Sequence, residues 1–301
     1  MDTGVLLESG TNELEILEFR IGDNYYGINV AKIREILPYQ KPTPIPNSHP
    51  YIEGIFMPRD IIITVVNLAK SLSINEKNEQ TQDMTIITNF NKLNVAFHVH
   101  GVVGIHRVSW EDINKPDTTI NSVATGIIKL NGKLLVVLDF ERIISDINPE
   151  TGLKISDITH LRNRKRNETP ILIAEDSPLL SKLIQDCLHK AGYSNLVIAD
   201  NGAEAYKLLN DYKEAKTLDD KVKCVITDIE MPQMDGHHLT KLIKTDGVLK
   251  NLPVVIFSSL INDEMRKKGE SVGADAQITK PEIGSLIDVV DNLLDGKEAV
   301  Q

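Results

Sequence analysis

The 301-residue sequence has little of several features that would assign it at once to a class of protein. It has two cysteines, Cys187 and Cys224, and both lie in apolar runs without the spacing of metal ligands. We interpret them as reduced core residues of a cytosolic protein. In the first half the apolar run from Ile61 to Ala69 is far shorter than the ~20 apolar residues of a membrane-spanning helix. We therefore expect no insertion into a membrane.

An excess of basic charge and an N-terminal export signal are also lacking. The 33 basic and 43 acidic residues give a net charge of −10, which argues against a general nucleic-acid binder. The first residues are acidic and no basic flank precedes an apolar core, so no secretory signal is predicted. Hydrophobic residues make up 41% of the chain, which suits a globular protein, and the length favours two domains.

The pattern of apolar residues changes near residue 150. Before it, short runs rich in Ile and Val predict β-strands, namely Tyr25–Val30, Ile61–Val66, Met84–Thr88, Val95–Val99 and Leu134–Leu138. After it, short strands alternate with helical patterns, which predicts βα units around a parallel sheet. We therefore expect an all-β domain at 11–148, a linker at 149–169 and an α/β domain at 170–297.

The first half contains an internal repeat. The segment 54–68 aligns without gaps on the segment 126–140, and in both a Gly opens a strand, a polar pair makes a turn and an apolar strand follows. An earlier pair, 19–28 and 90–99, repeats at a similar offset. Two copies of one small β unit, each closed into a barrel, are the architecture that this repeat predicts.

Other features of the first half and the linker have ordinary structural interpretations. Five prolines between 38 and 50 could be a ligand for a proline-reading module, but we expect them to connect two strands of their own domain. The basic cluster at 162–166 fits a solvated linker better than a docking or nucleic-acid contact. His98 and His100 share one face of a strand and are a possible metal pair, although two ligands do not make a site. No phosphate-binding loop or nucleophile elbow appears, which indicates a binding module.

Polar residues follow four of the five strands predicted in the second half. These strands are Ile171–Ala174, Leu196–Ala199, Cys224–Thr227, Val254–Phe257 and Gln277–Thr279. In an open doubly wound sheet, ligands bind beyond the carboxyl ends of the strands. In the strand order 2-1-3-4-5 the first and third strands are neighbours, so Glu175, Asp176 and Asp228 would meet in one small volume.

The chemistry of that edge favours phosphoryl transfer to a carboxylate. Three adjacent carboxylates repel one another unless a cation lies among them, and oxygen ligands of this kind suit Mg²⁺. Lys280 adds a fixed positive charge and Ser258 adds a hydroxyl donor. A carboxylate facing these groups can attack a phosphoryl group, whose developing charge they would stabilise. A Mg²⁺ phosphatase built on the same cluster is a less favoured alternative.

The motifs of the second half match a known family. They are Glu175-Asp176, the segment 228–236, Ser258 and Lys280-Pro281. On these motifs, residues 170–295 resemble a response-regulator receiver domain, which implies a doubly wound (βα)5 fold of the flavodoxin-like kind. The chain departs from the pattern at Gln277, where many receivers have an aromatic residue. The usual coupling of hydroxyl movement to burial of an aromatic ring is therefore left open.

The resemblance to receivers implies a role for each motif residue. A histidine kinase would phosphorylate Asp228, Ser258 would move toward the phosphoryl group, and Lys280 would pair with it. The Mg²⁺ ligands would be Glu175, Asp176, Asp228 and the backbone carbonyl of Glu230. The domain would catalyse at most its own phosphorylation and dephosphorylation, so we do not expect an enzyme in the usual sense.

The first half has motifs of a second family. They are Tyr26–Val30, Ile33–Leu37, Gly54 with Arg59, and the segment from Gly126 to Asp139. On them, residues 11–148 resemble the CheW chemotaxis coupling domain, which implies two small SH3-like barrels. A CheW domain followed by a receiver is the arrangement of the CheV family, so the resemblance covers nearly the whole chain. After Arg59 the family commonly has Gly, Pro and Asp, where this chain has Asp60, Thr64 and Asn67, so receptor affinity does not simply carry over.

The combined resemblance implies a chemotaxis adaptor with a phosphorylation switch. The β half would couple methyl-accepting chemotaxis receptors to the histidine kinase CheA, with Arg59 among its contact residues, and phosphorylation of Asp228 would modulate that coupling. A cytoplasmic protein recruited to receptor arrays at the inner face of the membrane is implied. The alternative is a phosphate sink, in which the receiver drains phosphoryl groups from CheA and the β half only keeps it near the kinase.

Overall fold

A computed structural model describes residues 10–74, 82–90, 93–116, 123–148 and 169–295. The chain forms two compact units. Of the described residues, those from 14 to 108 and from 112 to 148 form the β unit, and those from 169 to 295 with 10–13 and 109–111 form the α/β unit. The basic cluster at 162–166, and the predicted linker apart from Thr169, lie outside the described residues. Within those described ranges, no helix has the length and apolar character that crossing a membrane requires.

The described residues of the β unit form ten strands in two five-stranded sheets. The strands are β1 (Glu13–Ile21), β2 (Asn24–Asn29), β3 (Ile33–Pro38), β4 (Ile52–Phe56), β5 (Ile63–Asn67), β6 (Met84–Phe90), β7 (Leu93–Val99), β8 (Gly101–Ser109), β9 (Ala124–Leu130) and β10 (Lys133–Leu138). One sheet has the order β8-β1-β2-β10-β9 and the other has the order β3-β6-β7-β5-β4. All five strands predicted for this half are present, and their ends differ by two residues or fewer.

The two copies of the internal repeat exchange strands. β2 of the first copy pairs in parallel with β10 of the second, with Tyr26 opposite Val136. Likewise β7 of the second copy pairs in parallel with β5 of the first, with Phe97 opposite Val66. Each sheet therefore contains strands from both copies, a feature that our expectation of two separate copies did not include.

An apolar core joins residues of both sheets. Phe140, the first residue of α2 (Phe140–Ile147), packs edge-on against Phe19 of β1 and Phe97 of β7, with ring centroids 6.1 and 4.6 Å away. All three rings are fully buried. Asp139 caps the helix by accepting a hydrogen bond from the backbone N–H of Arg142. A short helix, α1 (Leu68–Ser71), follows β5 and buries Leu68 in the same core.

The proline-rich segment connects β3 to β4, as expected. Thr43 and Ile55 exchange both backbone hydrogen bonds, at 2.8 and 2.9 Å, so the segment pairs within its own unit. Gly54 permits this approach because its φ is +148° and a Cβ atom there would lie 2.1 Å from the carbonyl oxygen of Thr43. The proline-rich segment is therefore a structural part of the β unit, paired with β4.

The α/β unit contains a parallel five-stranded sheet and its helices. The strands are β11 (Ile171–Ala174), β12 (Leu196–Ala199), β13 (Cys224–Thr227), β14 (Val254–Ser258) and β15 (Ala276–Thr279). The helices are α3 (Pro178–Ala191), α4 (Gly202–Glu214), α5 (Leu218–Lys221), α6 (Gly236–Thr245), α7 (Asp263–Ser271) and α8 (Ile283–Leu294). The strand order β12-β11-β13-β14-β15 is the predicted 2-1-3-4-5 order of a flavodoxin-like sheet.

Local sequence signals define the first helix and the core of this unit. Ser177 caps α3 with its side chain, Pro178 opens it, and Gly192 ends it with a left-handed φ of 105°. Cys187 and Cys224 are fully buried in the core, which confirms their predicted packing role. Burial raises the pKa of the Cys224 thiol to about 12, so this sulfur is a poor nucleophile.

Candidate functional site

Three carboxylates converge at the carboxyl edge of the parallel sheet. Glu175 and Asp176 follow β11, and Asp228 follows the neighbouring strand β13. The backbone N–H of Asp228 donates to the carbonyl of Ala174 at 3.0 Å, which sets the two strand ends side by side. One carboxylate oxygen from each of the three acidic residues lies within 4.8 Å of the others. The structure thus brings together the three acidic residues that the sequence singled out.

Lys280 binds two of these carboxylates at once. Its Nζ atom lies 2.8 Å from Oε2 of Glu175 and 2.8 Å from Oδ2 of Asp228. The ammonium is buried, with 4% of the side chain exposed, and so is Glu175, with 2% exposed. Because a buried charge is costly without a partner, this hydrogen-bonded arrangement fixes the positions of all three side chains.

The electrostatics of the cluster fit a divalent cation. The pKa of Glu175 is raised to about 7, chiefly by burial, with Lys280 lowering it and the charge of Asp228 adding to the rise. One ammonium cannot neutralise three carboxylates, so the cluster keeps an excess of negative charge. Asp176 is partly exposed, which leaves one side of the cluster accessible from solvent. A donor set of carboxylate oxygens with access to water matches the preference of Mg²⁺.

Ser258 lies on the strand between the phosphoacceptor candidate and the lysine. It ends β14, which separates β13 from β15, and it is fully buried. Its carbonyl accepts from the backbone N–H of Lys280 at 3.0 Å, and its Oγ accepts from the backbone N–H of Leu260 at 3.3 Å. Glu230 lies in the loop directly after Asp228 and is partly exposed.

The loop after β13 holds Asp228 by its backbone. Oδ1 of Asp228 accepts from the N–H of Ile229 at 2.6 Å, and Gly236 donates its N–H to the carbonyl of Ile229 at 2.9 Å. A Cβ atom at residue 236 would lie 1.9 Å from the carbonyl oxygen of Asp228. Gly236 is therefore required for the close approach of α6 to the phosphoacceptor candidate. The sequence contained this glycine in its motif without indicating what the residue does.

Arg59 lies in the β unit, in the turn between β4 and β5. Its side chain is 80% exposed and forms an ion pair with Glu35 of β3. Its backbone is left-handed, with φ of 51°, which is uncommon for a residue with a side chain. The neighbouring residues Met57 and Ile62 expose 62% and 67% of their surface. An exposed cation beside exposed apolar residues is a composition typical of protein-binding surfaces.

His98 lies in β7 and His100 directly follows it, and both form hydrogen bonds within the β unit. The ring of His98 lies between two carboxylates, with Nδ1 2.9 Å from Glu53 Oε1 and Nε2 3.2 Å from Asp83 Oδ2. Nδ1 of His100 accepts from the backbone N–H of Gly22 at 2.9 Å. Among the described residues, the group suited to a metal ion is the carboxylate cluster. No sequence pattern pointed to Glu53 and Asp83, which lie far from His98 along the chain.

Comparison with known proteins gives matches to both halves of the chain. Residues 15–148 match the CheW-like domain, and residues 171–291 match the response regulator receiver domain. The chain is 31% identical to chemotaxis protein CheV3 of Helicobacter pylori over 94% of this chain and 96% of that protein. It is 30% identical to CheV2 of the same organism over 90% of this chain and 92% of that protein. Over 49% of this chain it is 30% identical to nearly all (98%) of chemotaxis protein CheW of Thermotoga maritima.

Proposed function

We propose, from the premise that the chain belongs to the CheV family of chemotaxis proteins, that phosphorylation of Asp228 controls the coupling performed by the β unit. The protein is a chemotaxis coupling adaptor that joins a CheW-like domain to a receiver domain. We propose domain limits of 11–148 and 170–297, with 149–169 as the linker. The observation that carries the proposal is the contact of the Lys280 ammonium with Asp228.

Asp228 is the group that would accept the phosphoryl group. Its Oδ1 is held by the N–H of Ile229 and its Oδ2 by Lys280, so the carboxylate is oriented before any donor arrives. One of its oxygens would attack the phosphorus atom of a phosphohistidine or a small phosphodonor. The bond to the donor would break, with its electron pair leaving on the donor, and an acyl phosphate would remain on Asp228.

The surrounding residues would stabilise the phosphoryl oxygens. Lys280 would stay close to them because its Nζ already lies 2.8 Å from Asp228 Oδ2. Ser258 would turn its hydroxyl from Leu260 toward the phosphoryl group. Mg²⁺ would supply further positive charge at this position. Its proposed ligands are Glu175, Asp176, Asp228 and the backbone carbonyl of Glu230. No reaction other than this phosphorylation and its reversal is proposed.

The β unit would supply the partner contacts. We propose that it binds the kinase CheA and the cytoplasmic part of chemoreceptors, with Arg59 and the exposed apolar residues beside it among the contacts. The protein would then act in the cytoplasm, at receptor arrays on the inner face of the membrane. The exposed side chain of Arg59 supports this role because it can bind a partner without disturbing the core.

The experiment is CheA autophosphorylation on receptor-bearing membranes, with this protein as the sole coupling component. The parent and Asp228→Ala are compared with and without a small phosphodonor and Mg²⁺. We expect the parent to place the kinase under receptor control, and the donor to change that control only when Asp228 is present. If neither protein couples receptor to kinase while the parent still takes up phosphate, the proposed control of coupling by Asp228 fails and the phosphate sink replaces it.

A further inference from the structure

Helix α7 is held to the α/β unit by little apolar burial. Of its nine residues, Met265 and Gly269 are the buried ones, whereas α8 buries six of its twelve. The remaining residues of α7 are charged or polar. Helices with few buried apolar contacts are the ones that shift or open at low cost.

Two side chains packed against the first turns of α7 each contain an unpaired buried atom. Nε2 of His237 and Oε1 of Gln277 are the buried side-chain nitrogen and oxygen atoms without a hydrogen-bond partner among the described residues. Nε2 of Gln277 donates to the carbonyl of Arg266 at 2.8 Å. His237 hydrogen-bonds with the backbone of Met265, the preceding residue of the helix. The two unpaired atoms thus belong to side chains that contact consecutive residues of one helix.

Both unpaired atoms are hydrogen-bond acceptors. Burial lowers the pKa of His237 to about 4, with a smaller contribution from Lys268, so the ring is neutral near pH 7. A neutral ring that donates to the backbone of Met265 leaves Nε2 as an acceptor. A buried acceptor without a donor is destabilising, and it regains hydrogen bonds when water reaches it. The packed position of α7 therefore has a cost that moving the helix would relieve.

Gly269 shows how closely Gln277 approaches the helix. A Cβ atom at residue 269 would lie 2.3 Å from Oε1 of Gln277. Real Cβ atoms do not come so close to an oxygen, so a side chain here would force Gln277 or the helix to move. The absence of a side chain at residue 269 permits the packed position of α7.

The loop before α7 connects the helix to the phosphorylation site. Four residues separate Ser258, at the end of β14, from Asp263, the first residue of α7. Oγ of Ser258 accepts from the N–H of Leu260 within that loop. When the hydroxyl turns toward a phosphoryl group on Asp228, this hydrogen bond is lost and the loop is free to carry α7 with it.

We propose that Gln277 and His237 are positioning residues, which destabilise the packed position of α7 so that phosphorylation of Asp228 displaces the helix. This inference rests on the proposed phosphorylation of Asp228. It assigns Gln277 a function of its own in a receiver that lacks the aromatic residue common at that position. Displacement of α7 would expose Oε1 of Gln277 and Nε2 of His237 to water, and the phosphorylated form gains this hydration.

The test uses the full chain and two measurements. Beryllium fluoride with Mg²⁺, a phosphoryl analogue, is titrated calorimetrically, and amide exchange is followed in α7. Gln277→Met keeps the volume but removes the unpaired oxygen, while the Arg266 carbonyl keeps its intrahelical donor. We expect affinity for the analogue to fall about fivefold and exchange in α7 to slow by a similar factor. The reason is that the variant no longer has an unpaired buried acceptor, which destabilises the packed helix by about the free energy of one hydrogen bond.

Two further variants and a control make the result specific. His237→Phe is expected to act in the same direction as Gln277→Met. Gly269→Ala is expected to act in the opposite direction, raising the affinity for the analogue and accelerating exchange in α7. Gln185→Met is the matched control, because Gln185 hydrogen-bonds with Ser181 within α3, and it should change neither measurement.

The outcomes separate this inference from the proposed function. If the parent binds no analogue, or Asp228→Ala binds it equally well, the proposed phosphorylation fails and the exchange data alone decide how α7 is held. If the parent binds normally but Gln277→Met accelerates exchange in α7, Gln277 is an anchor and the inference is overturned. Unchanged affinity and exchange in both Gln277→Met and Gly269→Ala would overturn it as well.

Discussion

The ammonium of Lys280 lies 2.8 Å from Oδ2 of Asp228, although β14 separates the two strands that precede these residues. The contact joins residues 52 positions apart in the sequence, and the same ammonium binds Glu175. Lys280 therefore has two roles in our proposal. It balances two buried carboxylates before phosphorylation, and it faces the phosphoryl oxygens afterwards.

Lys280→Met is expected to destabilise the α/β unit strongly in Mg²⁺-free buffer. Removing the ammonium leaves Glu175 and Asp228 buried without a cation, a loss of about 3–5 kcal/mol for this kind of change. Mg²⁺ should restore part of the free energy of unfolding, because a bound cation replaces some of the missing charge. Denaturant unfolding with and without Mg²⁺ measures both effects.

Lys223→Met is the control for this change. Lys223 is about half exposed and pairs at 3.7 Å with Asp219, whose side chain is almost fully exposed. Surface pairs of this kind contribute about 1 kcal/mol or less, so we expect little change in stability and no dependence on Mg²⁺. Equal losses in the two lysine variants would contradict the role given to Lys280.

Gly236→Ala is expected to damage both stability and phosphorylation. The new methyl group would lie 1.9 Å from the carbonyl oxygen of Asp228, so α6 or the phosphoacceptor loop must move. We expect a loss of about 1–3 kcal/mol, the range for overpacking, and slower phosphate uptake from a small donor. Gly247→Ala is the matched control because no atom lies within 4 Å of its added methyl group. Phosphate uptake at the parental rate in Gly236→Ala would show that Asp228 tolerates this shift.

Arg59→Ala is expected to weaken partner binding without changing the fold. The side chain is 80% exposed, so its loss should alter the free energy of unfolding by about 0.5 kcal/mol or less. If Arg59 contacts CheA or the receptors, the Kd should rise about tenfold, the usual effect of removing an interface arginine worth 1–2 kcal/mol. Pull-down and titration with each partner measure this effect. Arg34→Ala, at another exposed arginine of the β unit, should bind as the parent does.

The stability of the β unit is expected to depend on pH through His98 and Glu53. Burial alone would lower the pKa of His98, but its hydrogen bonds and charge interactions with Glu53 and Asp83 outweigh burial and raise it above 6.5. Burial alone would raise the pKa of Glu53, but His98, Tyr39 and Asn67 together lower it below 4.5. Both side chains are therefore charged in the folded protein between about pH 4.5 and pH 6.5.

The sign of the pH effect follows from these directions. The contribution of His98 is fully present below about pH 6.5 and is lost as the pH rises through its folded pKa. The contribution of Glu53 is present above about pH 4.5 and is lost as the pH falls through its folded pKa. If amide exchange in β7 is measured as a function of pH, protection should be maximal between about pH 4.5 and pH 6.5. His98→Gln should flatten the profile, whereas His49→Gln should leave its shape unchanged.

Much of the α/β unit could be predicted because its signals are local. Each strand is a short apolar run, and Glu175 and Asp228 directly follow the neighbouring strands β11 and β13, so the strand order alone places these carboxylates together. The caps of α3 are equally local, since Ser177 and Gly192 act on the backbone beside them. The role of Gly236 was not visible, because a close approach between α6 and a carbonyl has no signature beyond the glycine itself.

Sequence patterns alone are enough to predict the two kinds of unit, the internal repeat, the strand ends of the parallel sheet and the identity of the residues that gather there. Three features became visible only in the folded chain: the repeats exchange strands, Glu53 and Asp83 enclose His98, and His237 and Gln277 have unpaired atoms beneath α7. The physical reason is the range of the interactions. Apolar periodicity, capping and turns act over a few residues, whereas strand exchange, buried ion pairs and unpaired acceptors depend on which distant segments exclude water together.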